Sequence, residues 1–124
     1  MDIKSRVLLV DDDPDIGRIF GLNLNLAGYD ATSTTRGAAA IELVRTQRFD
    51  IMLLDVMMPD VTGLDVLYEV ITFSQIPIIL FTSSRDIFEV AQRSGANDYI
   101  SKPFIPSQLI EKIKAVLGET RGKT

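Results

Sequence analysis

Residues 49–55 read Phe49-Asp50-Ile51-Met52-Leu53-Leu54-Asp55, and Val56-Met57-Met58-Pro59-Asp60 follow. A solid apolar block between charged ends is the pattern of a strand covered on both faces of a parallel sheet, which has no solvent side on which polar residues would alternate. The strand spans Phe49 to Leu54 and stops at a carboxylate. Asp55 therefore stands where the chain leaves the core for a loop turning at Pro59-Asp60 and Thr62-Gly63. Open α/β sheets build their sites at that carboxyl edge.

The same grammar extends both ways. Arg6 to Val10 is a short buried strand ending at Asp11-Asp12-Asp13, and Asp13-Pro14 starts a helix, with the aspartate as cap and the proline preorganised for the first turn. Ile16, Ile19, Phe20, Leu24 and Ala27 form that helix's apolar stripe, widened by Leu22 and Leu26 and stopped at Gly28. Gly17 and Gly21 sit awkwardly inside it, each costing about 1 kcal/mol relative to alanine. Tyr29 to Thr32 is a brief strand. Thr35 or Ser33 caps a second helix that places Ala38, Ile41 and Val44 on one face. After the central strand, Leu64, Leu67, Val70 and Ile71 mark a third helix, and Ile78-Ile79-Leu80-Phe81 a second strongly apolar strand running into Thr82-Ser83-Ser84.

A helix over 86–94 carries Ile87, Val90 and Ala91 and ends at Gly95. Asn97 to Ile100 is the last strand and Ser101-Lys102-Pro103-Phe104 its loop. From Pro106 a final helix presents Leu109, Ile110, Ile113, Val116 and Leu117, with Glu111, Lys112 and Lys114 outward and Gly118 as its stop. Five strand–helix units with no linker imply one domain over 1–124, with a core of about 6–118 and a polar tail over 119–124. The economical architecture is a three-layer α/β sandwich on a parallel sheet.

Composition narrows the chemistry. Hydrophobic residues make up 46% and charged ones 24%, which suits a folded soluble domain. The net charge is -4, and its excess lies wholly in the first 62 residues; no basic stripe exists to hold a phosphate backbone, which argues against direct nucleic-acid binding. The chain contains neither Cys nor His. Thiolate chemistry, phosphohistidine and imidazole ligation are thereby excluded, leaving oxygen donors and hard cations such as Mg2+. Without a signal peptide or a membrane span, the default location is cytoplasmic.

Four features lie just past predicted strand ends: Asp11-Asp12, Asp55, Thr82-Ser83 and Lys102. Parallel strands bring such ends to one edge. Three carboxylates gathered there repel, each raising the others' pKa until a cation neutralises them. Asp55, in the middle of the edge, is the candidate nucleophile toward phosphorus, forming an acyl phosphate. Asp11 and Asp12 are the candidate Mg2+ ligands, with the backbone carbonyl of Met57 able to complete the shell. Lys102 and the Thr82 hydroxyl are the candidate contacts for transferred phosphoryl oxygens. Taken singly, each has a bland alternative: a helix cap with surface acids, a turn aspartate, a hydroxyl cap, a loop lysine. Four accidents at four strand ends explain the pattern less well.

Together these residues resemble the receiver domain of two-component response regulators over nearly the whole chain, from Arg6 to Gly118. Val10-Asp11-Asp12-Asp13-Pro14 is similar to the family's acidic pair, Asp50 to Pro59 to its phosphoacceptor strand and loop, Gly63-Leu64 to the turn into its third helix, Phe81-Thr82-Ser83 to its hydroxyl position, and Gly95 to Phe104 to its last strand and lysine loop. The resemblance implies a doubly wound (βα)5 sandwich with strand order 2-1-3-4-5, an order on record for a chemotaxis member of the family. It implies phosphoryl transfer to Asp55 from a partner histidine kinase or histidine phosphotransfer protein, then slow hydrolysis. Asp55 joins Asp11, Asp12 and the Met57 carbonyl as a metal ligand, Thr82 and Tyr99 form the switch, and Lys102-Pro103 is cis. Tyr99 alone also reads as a partly buried edge aromatic.

The family positions that tune hydrolysis are Met57 and Ser84. Neither is acidic or an amide, so self-dephosphorylation is expected to be slow. The expected signalling surface comprises the last two helices and Tyr99's strand, with Arg85, Glu89, Arg93, Lys112 and Lys114 exposed on it. It serves a downstream protein, an output domain or a homodimer. A flavin or nucleotide module would need a phosphate loop where Asp11-Asp12-Asp13 stands. A haloacid-dehalogenase-like phosphatase would want an Asp where Met57 lies, and a pseudo-receiver would keep the fold without turnover.

Overall fold

The computed structural model describes residues 3–83 and 87–118, with the side chains of Ile87 and Phe88 outside that description. Ser84, Arg85, Asp86 and the tail over 119–124 also lie outside the described residues. Five strands, β1 (Arg6–Val10), β2 (Asp30–Thr34), β3 (Ile51–Asp55), β4 (Ile78–Thr82) and β5 (Asp98–Ser101), alternate with α1 (Pro14–Leu26), α2 (Gly37–Thr46), α3 (Gly63–Val70), α4 (Ile87–Ser94) and α5 (Pro106–Leu117). The sheet order is β2-β1-β3-β4-β5 and every pairing is parallel, as the resemblance implies.

The apolar blocks are solid because both sheet faces are covered, and the strand period of two divides them between two cores. Leu8, Val10, Met52, Leu54, Ile78 and Leu80 meet Ala40, Val66, Leu67, Val70 and Ala91 of α2, α3 and α4. Val7, Leu9, Ile51, Leu53, Ile79, Phe81 and Ile100 meet Phe20, Leu24, Leu109 and Ile113 of α1 and α5. Every residue of β3 and β4 is buried. At about 2–5 kcal/mol for each buried Leu or Ile truncated to Ala, these two strands hold the molecule together.

Several local expectations change. Helix α1 packs through Gly17, Phe20, Gly21 and Leu24, while Ile19, Leu22 and Leu26 are 49%, 61% and 78% exposed. The stripe is turned because glycine contributes backbone, which an apolar count passes over. A Cβ on Gly17 would lie 3.0 Å from both Cβ and Oγ of Ser33, so the glycine lets α1 close on β2; nothing lies within 4 Å of a Cβ at Gly21, and no contact there requires glycine. In α2 the buried positions are Gly37 and Ala40, and Ala38 is exposed. Neither Ser33 nor Thr35 caps it, for Arg36 holds the N-cap position without a side-chain bond.

In α3, Val66 takes the buried place expected of Ile71, which caps the helix and is 48% exposed. Strand β2 begins one residue later and ends two residues later than read, β3 begins at Ile51, and β3 and β4 include Asp55 and Thr82 as their last residues. The expected caps and stops at Asp13, Pro14, Gly28, Gly95 and Gly118 are all present, the three glycines at φ 101°, 92° and 74°. On α5, Lys112 and Lys114 are half-buried, not exposed, whereas Glu89 and Arg93 of α4 are exposed.

Candidate functional site

The carboxyl edge collects its residues from four neighbouring elements. Asp11 follows β1 directly and is 2% exposed; its Oδ1 accepts from the Asp13 amide at 2.8 Å, which ties the acidic turn to the helix cap. Asp55 ends β3, also 2% exposed, and its Oδ1 accepts from the Met57 amide at 3.2 Å. Asp12 is exposed beside them. One carboxylate oxygen from each of Asp11, Asp12 and Asp55 lies within 4.8 Å of the others.

Lys102 closes the group from the loop after β5. Its Nζ donates to Asp11 Oδ2 at 3.0 Å and to Asp55 Oδ2 at 3.2 Å, bridging residues 91 and 47 positions away in the chain. The Phe81 ring lies beneath the ammonium, 5.2 Å from centroid to Nζ, and Phe104 packs edge-on against both Phe81 and Phe20. Lys102 N donates to the Thr82 carbonyl at 2.9 Å, and the Lys102-Pro103 bond is cis. Thr82, buried, pairs with Ser101 and directly follows Phe81, the register partner of Asp55.

The electrostatics differ from expectation in cause. Burial is the largest influence on Asp55 and pushes its pKa up; Lys102 opposes this, Asp11 adds to it, and the net shift is upward. Desolvation thus outranks the carboxylate repulsion read from the sequence. Burial pulls the Lys102 ammonium down, yet its bonds to Asp11 and Asp55 outweigh that and hold its pKa above normal. The lysine remains a cation shared between two buried anions.

Asp11, Asp12, Asp55, Thr82 and Lys102 therefore occupy one edge. Met57 follows them in the β3–α3 loop with its side chain 64% exposed. Tyr99 lies farther off in β5, half-buried, pairing with Leu80 and packing on the α2–α4 side of the sheet. Lys112 Nζ sits 5.4 Å from the centroid of its ring and pairs with Asp98 at 3.1 Å. One residue carries more structure than the sequence reveals. Asp60, read only as a turn former, accepts from the Gly37 amide at 3.1 and 3.4 Å across 23 residues and so caps α2. Thr35 and Ser33 offered local caps in the sequence, and nothing near α2 pointed to Asp60 instead.

A doubly wound parallel sheet with acids and a lysine at its carboxyl edge defines a class of α/β domains that work at a topological switch point. The sequence profile of the response regulator receiver domain matches residues 7–114, and the chain belongs to that family. Among curated proteins it is 36% identical over 117 residues to the DNA-binding response regulator MtrA of Mycolicibacterium smegmatis, covering 93% of this chain and 51% of that one. It is 35% identical over 122 residues to the probable transcriptional regulator ycf27 of Guillardia theta, covering 97% and 48%. The chain thus spans about half the length of the curated relatives it matches.

Among solved structures, the Vibrio cholerae chemotaxis protein CheY4 superposes with a TM-score of 0.83 at 28% identity, over 92% of this chain and 99% of that one. The receiver domain of the sensor histidine kinase PA1611 of Pseudomonas aeruginosa, solved with a magnesium ion in its active-site cleft, superposes at 0.85 and 27% identity, over 94% and 99%. Among the described residues no helix is long and apolar enough to cross a membrane.

Proposed function

We propose that Asp55 is the phosphoacceptor of this receiver domain. The observation that carries the reading is the buried Asp55 carboxylate held 3.2 Å from Lys102, with Asp11 on the same ammonium at 3.0 Å. An Asp55 oxygen attacks phosphorus, the phosphorus–nitrogen bond of a partner phosphohistidine breaks, and an acyl phosphate forms. These residues contain no His, so the donor histidine lies outside them, on a histidine kinase or a histidine phosphotransfer protein.

The all-oxygen donor set of Asp11, Asp12 and Asp55 suits a hard divalent cation, and the Met57 carbonyl would join it. A cation held there would supply positive charge to offset that on the phosphoryl oxygens. Lys102 and the Thr82 hydroxyl bond those oxygens once they arrive. Thr82 and Tyr99 form the switch, and their movement changes the surface of α4, β5 and α5 toward a downstream protein, an output domain or a second copy. Residues 1–124 act as one receiver unit in the cytoplasm, with no direct nucleic-acid contact of their own. Met57 offers no group to orient a water, which supports slow self-dephosphorylation.

The test is incubation with Mg2+ and a small acyl-phosphate donor, followed by intact-mass measurement. A metal-dependent phosphoryl adduct that disappears in Asp55→Asn supports the reading. The same adduct persisting in that variant overturns it, and so does decay within seconds in the absence of a phosphatase for the slow-hydrolysis part.

A further inference from the structure

Helix α2 starts without a cap from its own sequence. Its N-cap residue Arg36 is extended at φ -130° and ψ 136° and makes no side-chain bond to the first turn. The first-turn amides of any helix need acceptors, and a carboxylate there also meets the positive end of the helix dipole. Asp60 supplies it, accepting from the Gly37 amide at 3.1 and 3.4 Å. Bonds from the amides of Val61, Ala38 and Gly37 keep the Asp60 carboxyl below the ordinary range.

Packing makes the same connection. A Cβ on Gly37 would fall 2.2 Å from Val61 Cγ2, 2.8 Å from Val66 Cγ2 and 3.5 Å from Met58 Cε, so the β3–α3 loop rests on bare α2 backbone. At its base the loop is pinned where the Gly63 amide donates to Val56 O at 2.8 Å. Between base and apex lies Met57, 64% exposed, with its amide bonded to Asp55 Oδ1 at 3.2 Å.

We infer that Asp60 is a positioning residue: from the first turn of α2 it fixes the segment that carries the Met57 carbonyl, and it couples cation binding at Asp55 to that turn. The coupling part rests on the phosphoacceptor reading above; the positioning part does not. By linkage, a contact that favours Mg2+ is itself favoured by Mg2+, by the same factor.

The experiment compares the full chain with Asp60→Ala and Asp60→Asn. In metal-free buffer, Asp60→Ala speeds amide exchange of Met57, Met58 and Val61 about tenfold, while Asn, a comparable capping acceptor, stays near wild type. Unchanged exchange in the Ala variant overturns the inference whether or not the chain takes up metal. In Mg2+ titrations followed by amide chemical shifts, Asp60→Ala weakens the apparent affinity about five- to twentyfold, Asn restores most of it, and adduct formation at saturating Mg2+ is nearly unchanged. In the wild type, Mg2+ slows exchange at Gly37 by a similar factor. An Ala variant with wild-type affinity for Mg2+, or one in which Asn fails to rescue, removes the coupling. A wild-type chain that gains no adduct instead overturns the phosphoacceptor reading, and the metal-free exchange still decides on Asp60 as the loop's anchor.

Discussion

Gly63→Ala probes the junction on which the site depends. A Cβ on Gly63 would lie 2.2 Å from the Asp55 carbonyl oxygen, 2.7 Å from Val56 Cα and 2.8 Å from the Asp55 carbonyl carbon. All three are backbone atoms and cannot swing aside. Relaxing to ordinary contact needs a withdrawal of roughly 1 Å. That stretches the 2.8 Å bond from the Gly63 amide to Val56 O beyond hydrogen-bonding range. The lost bond accounts for about 1 kcal/mol and the overpacking for about 1–3 kcal/mol. Alanine returns up to about 1 kcal/mol as a better helix former. The net destabilisation is about 1–3 kcal/mol, or roughly 4 °C of midpoint for each kcal/mol in a domain of this length.

The displaced atoms belong to the peptide of Asp55, the proposed phosphoacceptor, so adduct formation with a small acyl phosphate should fall by about tenfold or more, in keeping with the sensitivity of reactions to 1 Å misplacements. Thermal melts and intact-mass time courses at saturating Mg2+ read both effects. A Gly63→Ala protein with the wild-type midpoint and the wild-type rate would refute the reasoning.

Gly21→Ala is the matching control: with nothing within 4 Å of its Cβ and an ordinary helical backbone, it should stabilise by about 0.5–1 kcal/mol in urea unfolding and leave adduct formation alone. For Asp55→Asn, the folded-state pKa of Asp55 lies above its unfolded value of 3.8, so the folded state is penalised once the carboxyl ionises. The penalty is absent below the unfolded pKa, grows as pH rises through the folded pKa, and is complete above it. Asp55→Asn should therefore unfold at higher urea than wild type at neutral pH, with the advantage vanishing toward pH about 3; an advantage that grows on acidification would contradict the sign. Lys102→Ala leaves Asp11 and Asp55 buried without their shared cation, with a loss of about 3 kcal/mol, the low end for a broken buried pair because the lysine is 28% exposed. Calorimetry should show much of that loss recovered on adding excess Mg2+, and a variant as stable as wild type without metal would mean that the pairing contributes nothing.

What the sequence revealed and what it hid divide along a physical line. Strands β3 and β4 were legible because burial on both faces writes itself as an unbroken apolar run, and Asp13, Pro14, Gly28 and Gly118 because caps are local chemistry. The face of α1 was misread because its seam runs through Gly17, where backbone packs against Ser33 and no side chain announces it. Asp60 was invisible as a cap because a helix end satisfied from 23 residues away leaves no nearby trace. The ion pairs of Lys102 with Asp11 and Asp55 lie between these cases. Parallel strands predicted that the three would meet, but periodicity has no information on which carboxylate faces the lysine.

That sharing bears on how such a site could switch. A cation serving two buried anions is poised, since neither carboxylate has it fully, and desolvation still leaves Asp55 harder to ionise than an aspartate in water. On the phosphoacceptor reading, phosphorylating Asp55 moves the negative charge outward onto oxygens that Lys102 and Thr82 can reach. The ammonium must then redistribute between Asp11 and the new group. Its loop would feel that change, because the Lys102 amide is bonded to the Thr82 carbonyl at 2.9 Å and the two residues close neighbouring strands. Any outward signal through Thr82 and β5 would begin as a redistribution of one lysine's charge, which makes the nitrogen chemical shift of Lys102 Nζ, followed through phosphorylation, its most direct observable.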